Sequence, residues 1–333
     1  MSRKPLISVV MPVHNAGVFL PDAVESILQQ SYPHFELIMV DDHSTDGAIE
    51  QLSIHDPRIK IIPSSTCGVV HAMRQGVREA KGEYIARMDA DDEALPHRLQ
   101  LQLDYLANNP EIGIAAAQVE IFSDNGVDQG FQHYQQWLNN VCTPVEISKE
   151  LFIESPLPNP TVMFRRDVYQ QLGGYQDSEW AEDYDCWLRA DVQKIKMGKP
   201  EGVLLRWRNH ENRLTHNDER YSQNNFMRAK AHYLARTHLK DKEVIIWGTG
   251  PTGIKVHDLL QEENIKMKGF IEINSRRIGG EKRGLPVWPI DYVETLSNEI
   301  IIGAVGSRGA REEIRTYLEE KEFKEGEQFI FIA

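Results

Sequence analysis

Glu83-Tyr84-Ile85-Ala86-Arg87-Met88-Asp89-Ala90-Asp91-Asp92 is the stretch on which the reading of this chain turns. Tyr84, Ile85 and Met88 suit a packed strand, yet the run ends in three carboxylates, Asp89, Asp91 and Asp92. Like charges this close repel one another and desolvate poorly unless a cation joins them. Carboxylates at a strand end offer hard oxygen ligands to Mg²⁺ or Mn²⁺, ions that commonly take one or two carboxylates plus substrate phosphates. The segment predicts a site for a metal-bound phosphate ester.

Two apolar runs upstream end in the same way. One is Ile7-Ser8-Val9-Val10-Met11-Pro12-Val13-His14-Asn15, and the other is Phe35-Glu36-Leu37-Ile38-Met39-Val40-Asp41-Asp42-His43-Ser44-Thr45-Asp46-Gly47. A third, Ile59-Lys60-Ile61-Ile62, precedes Gly68 and a helical stretch leading to Gly82. Strands alternating with helices, with polar residues gathered past the strand ends, imply an α/β fold whose parallel sheet opens a ligand crevice there.

These motifs resemble the nucleotide-sugar-binding half of the family 2 glycosyltransferases, which adopt the GT-A fold. The resemblance rests on Val9 to Asn15, on Asp41-Asp42-His43-Ser44-Thr45-Asp46, on Gly82-Glu83-Tyr84-Ile85 through Asp92, and on Leu95-Pro96-His97-Arg98-Leu99. It covers roughly residues 5 to 215. It implies an inverting, Mn²⁺- or Mg²⁺-dependent transfer from a nucleoside-diphosphate sugar, UDP- or dTDP-linked, to a glycan or glycoconjugate acceptor. Asp89-Ala90-Asp91 then holds the cation, with Asp91 the direct metal ligand and Asp89 nearer the ribose or sugar. Pro12, His14 and Asn15 contact the base, and Asp42 accepts a hydrogen bond from base or ribose. Arg74 stands where relatives often carry Asn, with a guanidinium that suits a phosphate.

Asp92 also suits a helix cap, and Asp-Asp-x-Ser-x-Asp-Gly suits a turn in which Asp46 caps while Asp42 binds. Further on, Trp180-Ala181-Glu182-Asp183-Tyr184-Asp185-Cys186-Trp187 resembles the family's Glu-Asp motif near the acceptor. Inverting transfer needs one carboxylate to take the acceptor hydroxyl proton, and the resemblance gives Asp183 as the candidate base and Glu182 as a positioning or hydroxyl-binding partner. Trp180, Tyr184 and Trp187 frame that pair, and flat aromatic faces suit both sugar rings and core packing. In Arg206 to His216, relatives show Arg-x-x-His. The resemblance gives Arg213 to a phosphate and His210 or His216 to the metal.

The bulk properties narrow the class. At 333 residues two domains are expected. A net charge of −13 argues against nucleic acid and against a general attraction to anionic membranes. Cys67, Cys142 and Cys186 are scattered and show neither a disulfide framework nor zinc spacing. With no signal-like segment and no membrane-spanning run, the expected location is the cytoplasm, with peripheral attachment to the inner membrane face as an option.

Helices are expected over 17–31 and 96–108, one strand over 112–121, and a loop or variable insertion over 123–142. A short strand over 161–164 precedes a helix over 166–172. The expected partition is a GT-A domain over 1–217, a connecting amphipathic helix over 218–241, and a Rossmann-like α/β domain over 242–333. The connecting helix carries Arg220, Arg228, Lys230 and Arg236 on a face expected to be solvated.

In the last domain Gly248-x-Gly250-x-x-Gly253 follows a strand and precedes a helix, with Glu272 further on, the context of a dinucleotide fingerprint. The unit also resembles the small Rossmann-like domain that precedes the acyltransferase part of some sugar-modifying enzymes. An NAD-type site and a structural or regulatory nucleotide-fold module compete evenly, a homo-oligomer through this domain is an option, and the expectation is weak or absent NAD(H) binding. Two alternatives to glycosyl transfer remain at this level. A nucleotidyltransferase also sets paired acids beside a nucleotide, but it lacks here a Gly-rich, Lys-containing phosphate loop. A catalytically idle nucleotide-binding scaffold or sensor is the other.

Overall fold

The computed structural model describes residues 4–123, 126–211 and 213–333. The chain forms two compact units. One holds Met1–Ile147, Pro156–Ser178 and Glu182–Asp218; the other holds Ser148–Ser155, Glu179–Ala181 and Glu219–Ala333.

The chain begins β1 (Ile7–Val13), α1 (Leu20–Leu28), β2 (Phe35–Asp41), β3 (Ile59–Pro63), α2 (Val69–Glu79) and β4 (Tyr84–Arg87). It continues with β5 (Glu93–Ala94), α3 (Arg98–Asn108), β6 (Ile112–Ala115), β7 (Gln118–Phe122), α4 (Gln129–Asn140) and α5 (Pro144–Glu150). Then come β8 (Met163–Arg165), α6 (Arg166–Gln171), α7 (Glu182–Val192), β9 (Lys196–Gly198), β10 (Val203–Arg208) and α8 (Leu214–Asn217).

Seven strands of the first unit make one sheet in the order β3-β2-β1-β4-β8-β6-β9. β3, β2, β1 and β4 are parallel, so their C-terminal ends share one edge. β8 runs antiparallel to both neighbours. A central parallel strand is covered on both faces, which is why β1 and β2 read as unbroken apolar runs. Val9, Val10, Met11, Leu37, Ile38, Met39 and Val40 are wholly buried. Pro12 is tolerated in β1 because β4 ends at Arg87, opposite Val10, and asks no ladder bond of it. Gly82, just before β4, has a packing reason: a Cβ there would lie 2.6 Å from the Leu6 carbonyl oxygen.

Several expectations change. The first helix is a short 3₁₀ turn over Gly17–Phe19 followed by α1, with Pro21 in its first turn. The helix expected over 96–108 begins at Arg98. The run 112–121 is two strands in different sheets, because β7 leaves the main sheet to join β5 and β10 in the order β5-β10-β7. The stretch expected to be a loop over 123–142 contains α4, started by Asp128, whose side chain accepts from the Phe131 amide. Its apolar positions, Phe131, Tyr134, Trp137 and Leu138, do fall at helical spacing, but interleaved Gln and Asn residues blur the pattern.

The second unit carries α9 (Gln223–Arg236), β11 (Val244–Trp247), α10 (Pro251–Glu262), β12 (Met267–Ile271) and β13 (Glu281–Lys282). It ends with β14 (Leu285–Trp288), β15 (Ile300–Gly303), α11 (Ala310–Glu320) and β16 (Phe329–Phe331). Its sheet order is β13-β14-β12-β11-β15-β16. All strands but β13 are parallel, and the chain builds outward from β11 first to one side and then to the other. That reversal defines a doubly wound sheet. Ile245, Trp247, Ile271, Ile301, Leu318, Phe329 and Phe331 form its core.

The expected helix over 218–241 is shorter, α9 alone, after a 3₁₀ turn at Glu219–Tyr221. Its basic face is not simply solvated. Lys230 is buried and donates to the Ile153 and Ile332 carbonyls at 2.7 and 3.2 Å. Arg228 pairs with Glu179, and Arg236 with Glu263. Among the described residues no helix is long and apolar enough to cross a membrane.

Candidate functional site

The edge formed by the ends of β1, β2 and β4 collects most of the polar residues singled out from the sequence. His14 and Asn15 follow β1, with Asn15 in the left-handed region at φ 49°. His14 Nδ1 donates to the Asp42 carbonyl at 2.7 Å, and Asn15 Oδ1 accepts from the Thr45 amide at 2.8 Å. Asp46 accepts from the Gly17 amide at 2.7 Å and from the Ala48 amide at 3.1 Å, so it caps across two loops. Asp42 is buried, and both its carboxylate oxygens accept from the Gly68 amide, at 3.0 and 2.9 Å. Asp42, His43 and Cys67 bring their ligand atoms within 4.8 Å of one another. Sequence spacing hid that trio, because Cys67 arrives only after β3 and its following turn.

Arg74 is directed elsewhere. Its Nε and Nη2 donate to the Tyr175 carbonyl and to Gln176 Oε1, at 2.8 and 2.7 Å, which ties α2 to the turn after Gly174.

Beyond β4 the three carboxylates have three different environments. Asp89 Oδ1 accepts from Arg87 Nε at 2.7 Å. Asp91 Oδ2 lies 2.8 Å from His210 Nε2. Burial opposes its charge, but that hydrogen bond and the nearby Arg213 guanidinium hold the Asp91 carboxyl below its usual value. Asp92 does not cap a helix. Its Oδ1 accepts from the Arg208 amide at 2.8 Å, while Oδ2 is buried without a hydrogen-bond partner. Burial, and then the Asp91 and Asp89 charges, push the Asp92 carboxyl well above its ordinary value.

The residues present fit a hard divalent ion. A buried carboxyl oxygen without a hydrogen-bond partner, beside two further acids, marks a cluster whose mutual repulsion a bound cation would relieve. Asp91 and His210 also converge at the right spacing: adjacent ligands of an octahedral ion at ~2.0–2.1 Å lie roughly 2.9 Å apart. His216 does not join them. Its Nε2 lies 3.3 Å from Asn209 Oδ1, although it shares with His210 a cleft of about 510 Å³ lined also by Phe19, Phe131 and Arg208. Arg213 lies over the Trp207 ring at 4.6 Å.

Glu182 and Asp183 open α7. Glu182 is buried, and its Oε1 accepts from Arg87 Nη1 at 3.3 Å and from Asn159 Nδ2 at 3.2 Å. Burial and the adjacent Glu182 charge push the Asp183 carboxyl up to about 7. The aromatic residues around this pair are packing. Tyr184 and Trp187 are wholly buried, and Trp180 packs on His232 and Tyr233.

Sequence reasoning passed over four residues beneath this edge. Arg87 bridges Asp89 and Glu182. Arg208 Nε holds the Asp91 carbonyl at 2.9 Å, with its guanidinium over Phe19 and Phe122. Asn159 links Glu182 to Tyr175, whose hydroxyl donates to Asn159 Oδ1 at 2.8 Å. Arg98, wholly buried and pulled down to about 10 by desolvation, anchors the Arg87 carbonyl at 2.5 Å. For Arg87 the available signal was a cation inside an otherwise apolar strand ahead of several acids, because a buried charge needs a partner.

In the second unit, Gly248 has φ 116° and a Cβ on Gly253 would lie 2.0 Å from the Gly248 carbonyl oxygen. Beside Gly250 the space is open. Glu272 is engaged within the protein: it accepts from Thr249 Oγ1, from the Ile273 and Asn274 amides at 2.9 and 3.1 Å, and from Arg277 at 3.2 Å.

Known proteins share this architecture. The sequence pattern described as Glycosyl transferase family 2 matches residues 8–173. The O-antigen biosynthesis glycosyltransferase WbnJ of Escherichia coli is 30% identical over 213 residues, 62% of this chain and 80% of that one. Staphylococcus aureus TarS 1–349, solved with UDP-GlcNAc, superposes with a TM-score of 0.55 at 18% identity over 71% of this chain and 68% of that one. The Pyrobaculum calidifontis mannosyltransferase PcManGT, solved with GDP-Man and Mn²⁺, gives a TM-score of 0.50 at 19% identity over 79% and 70%. The chain belongs to glycosyl transferase family 2, with a GT-A fold in its first unit, and it is a glycosyltransferase. The nucleotidyltransferase alternative gives way to that family.

Proposed function

We propose that the chain is an inverting, metal-dependent transferase that moves a sugar from a UDP- or dTDP-linked donor to a glycan or glycoconjugate acceptor in polysaccharide biosynthesis. The observation that carries this reading is the convergence beyond β4, with Asp91 on His210 and Asp89 joined through Arg87 to the Glu182–Asp183 pair. Mn²⁺ or Mg²⁺, held by Asp91 and His210, would supply Lewis-acid neutralisation of the departing diphosphate. His14, Asn15 and Asp42 cradle the nucleoside, with Pro12 shaping the strand end beneath it. Asp89 lies nearer the ribose or sugar, and Arg213 adds positive charge for the phosphates. Arg74, held by Tyr175 and Gln176, shapes the crevice wall without touching the donor. His216 stays outside the metal shell.

Asp183 takes the proton of the acceptor hydroxyl as that oxygen forms a bond to the anomeric carbon. The bond from that carbon to the diphosphate oxygen breaks on the opposite face, and the nucleoside diphosphate leaves with the electron pair. The second unit, built from residues 219 onward with two short upstream segments, serves assembly or partner recognition. Its Gly248, Gly250 and Gly253 loop shapes the helix start, and Glu272 is occupied internally.

A thermal-shift panel tests the donor: UDP-GlcNAc, UDP-glucose, a dTDP-sugar and GDP-mannose, each with and without Mn²⁺. One UDP- or dTDP-sugar is expected to stabilise the protein only with the ion present. Stabilisation by GDP-mannose alone would overturn the donor assignment, and full turnover in excess EDTA would overturn metal dependence.

A further inference from the structure

We propose that Arg87 is a positioning residue for sugar transfer, a buried fork that fixes the donor-side carboxylate Asp89 and the acceptor-side carboxylate Glu182 relative to each other. This rests on the reading of Asp89–Asp91 as the donor site and Glu182–Asp183 as the base pair. Arg87 is the last residue of β4, and its side chain is 5% exposed. Nε donates to Asp89 at 2.7 Å and Nη1 to Glu182 at 3.3 Å, across 95 residues of chain. Its backbone is clamped on both sides: the amide donates to the Val162 carbonyl at 2.9 Å, and the carbonyl accepts from Arg98. The far partner is also fixed, because Asn159 holds the same Glu182 oxygen and Tyr175 holds Asn159.

A planar guanidinium presents donors in a rigid fork, so the angle between its two carboxylate partners is set by one side chain. An ammonium group on a flexible stem supplies the charge but not the fork. Both carboxylates belong to the motifs assigned to transfer, and one guanidinium contacts both. Removal of Arg87 frees Asp89 to rotate away from the donor and takes one of its hydrogen-bond donors from Glu182, beside the base. Arg87 itself touches no reacting atom.

The test is a double-mutant cycle in the full chain, read as UDP release with Mn²⁺ from the panel donor that wild type turns over, UDP-GlcNAc being tried first. Arg87→Met is expected to lower kcat about a hundredfold and to raise the donor KM several-fold, because both partners move. The Arg87→Met/Glu182→Gln protein is expected to lose no more than about threefold beyond Arg87→Met, since coupled residues are non-additive. Arg87→Lys keeps the charge and covers the case in which Arg87→Met does not fold. It is expected to melt near wild type yet lose about tenfold in kcat.

A merely structural Arg87 predicts multiplicative losses in the double variant, an unchanged KM and a fully active Arg87→Lys, and any of these overturns the proposal. If Asp91→Asn and Asp183→Asn also retain full turnover, the reading of the site falls with it. If those two variants are dead while the cycle is additive, only the role of Arg87 falls.

Discussion

The two units put the same architecture to different ends. Each is built on parallel strands whose chain order reverses at a central strand, and each gathers polar residues past the strand ends. In the first, Asp89, Asp91 and Asp92 stand close together over buried arginines, with one carboxylate oxygen left without a partner. In the second, the acid in the corresponding stretch, Glu272, is held by Thr249, two amides and Arg277. The first unit thus clusters three acids, one of them with a buried oxygen that has no partner, where the second holds a single acid with several donors. The first unit concentrates acidic charge at one strand end, and the second pairs one acid with several donors.

The largest effect tests that charge. Asp91→Asn should lower turnover by at least about three decades, because a neutral amide cannot replace a carboxylate ligand and several kcal/mol of charge stabilisation are lost. The same variant should lose Mn²⁺-dependent stabilisation by UDP in a thermal shift. Retained activity would sink the metal assignment and erase the contrast between the units.

Next comes the base. Asp183→Asn should bind UDP with Mn²⁺ as wild type does, measured by calorimetry, but transfer roughly two to four decades more slowly. A parental rate would move the proton acceptor elsewhere. Products that keep the donor's anomeric configuration would refute inversion.

A smaller, directional effect follows from pH. Asp183 works as a base only when ionised, and its carboxyl is raised to about 7 by burial and by Glu182. Activity, as kcat/KM, should therefore rise with pH through a limb near neutrality. Glu182→Gln removes one of the two influences that raise Asp183, so the limb should move to lower pH while the plateau falls. A limb that stays in place or moves upward in that variant contradicts the pairing.

The smallest effects belong to the second unit. Gly253→Ala should destabilise it by about 1–3 kcal/mol, since the new methyl meets the Gly248 carbonyl. Gly250→Ala, facing open space, should leave its melting unchanged. Calorimetry of the full chain with NADH should show no micromolar complex, which would be worth on the order of −8 kcal/mol. Such a complex, lost in Gly250→Ala, would make the two units alike after all.

Much of this was legible in the sequence. The unbroken apolar runs of β1 and β2, the acids ending β4 and the restart of the strand–helix pattern after Lys242 each follow from local periodicity and turn chemistry. The helix α4 was not legible, because its four apolar residues are diluted by amides and only packing, with Tyr134 against Trp137 and Trp207, selects the helix. The departure of β7 from the main sheet was equally hidden. Strand pairing partners lie far apart in sequence, and β7 pairs with β10, more than eighty residues on.

By itself the sequence determined which chemical groups this protein has and on which local elements they stand: the carboxylates Asp89, Asp91, Glu182 and Asp183, and the imidazole of His210. Only the tertiary structure decided their company. It set His210 rather than His216 on Asp91, turned Arg74 away to Tyr175, buried Tyr184 and Trp187, and placed Arg87 between two acids. The physical reason is range. Periodicity and capping act over a few residues, whereas charge compensation in a buried site depends on distance in space, which the chain sets only once folded.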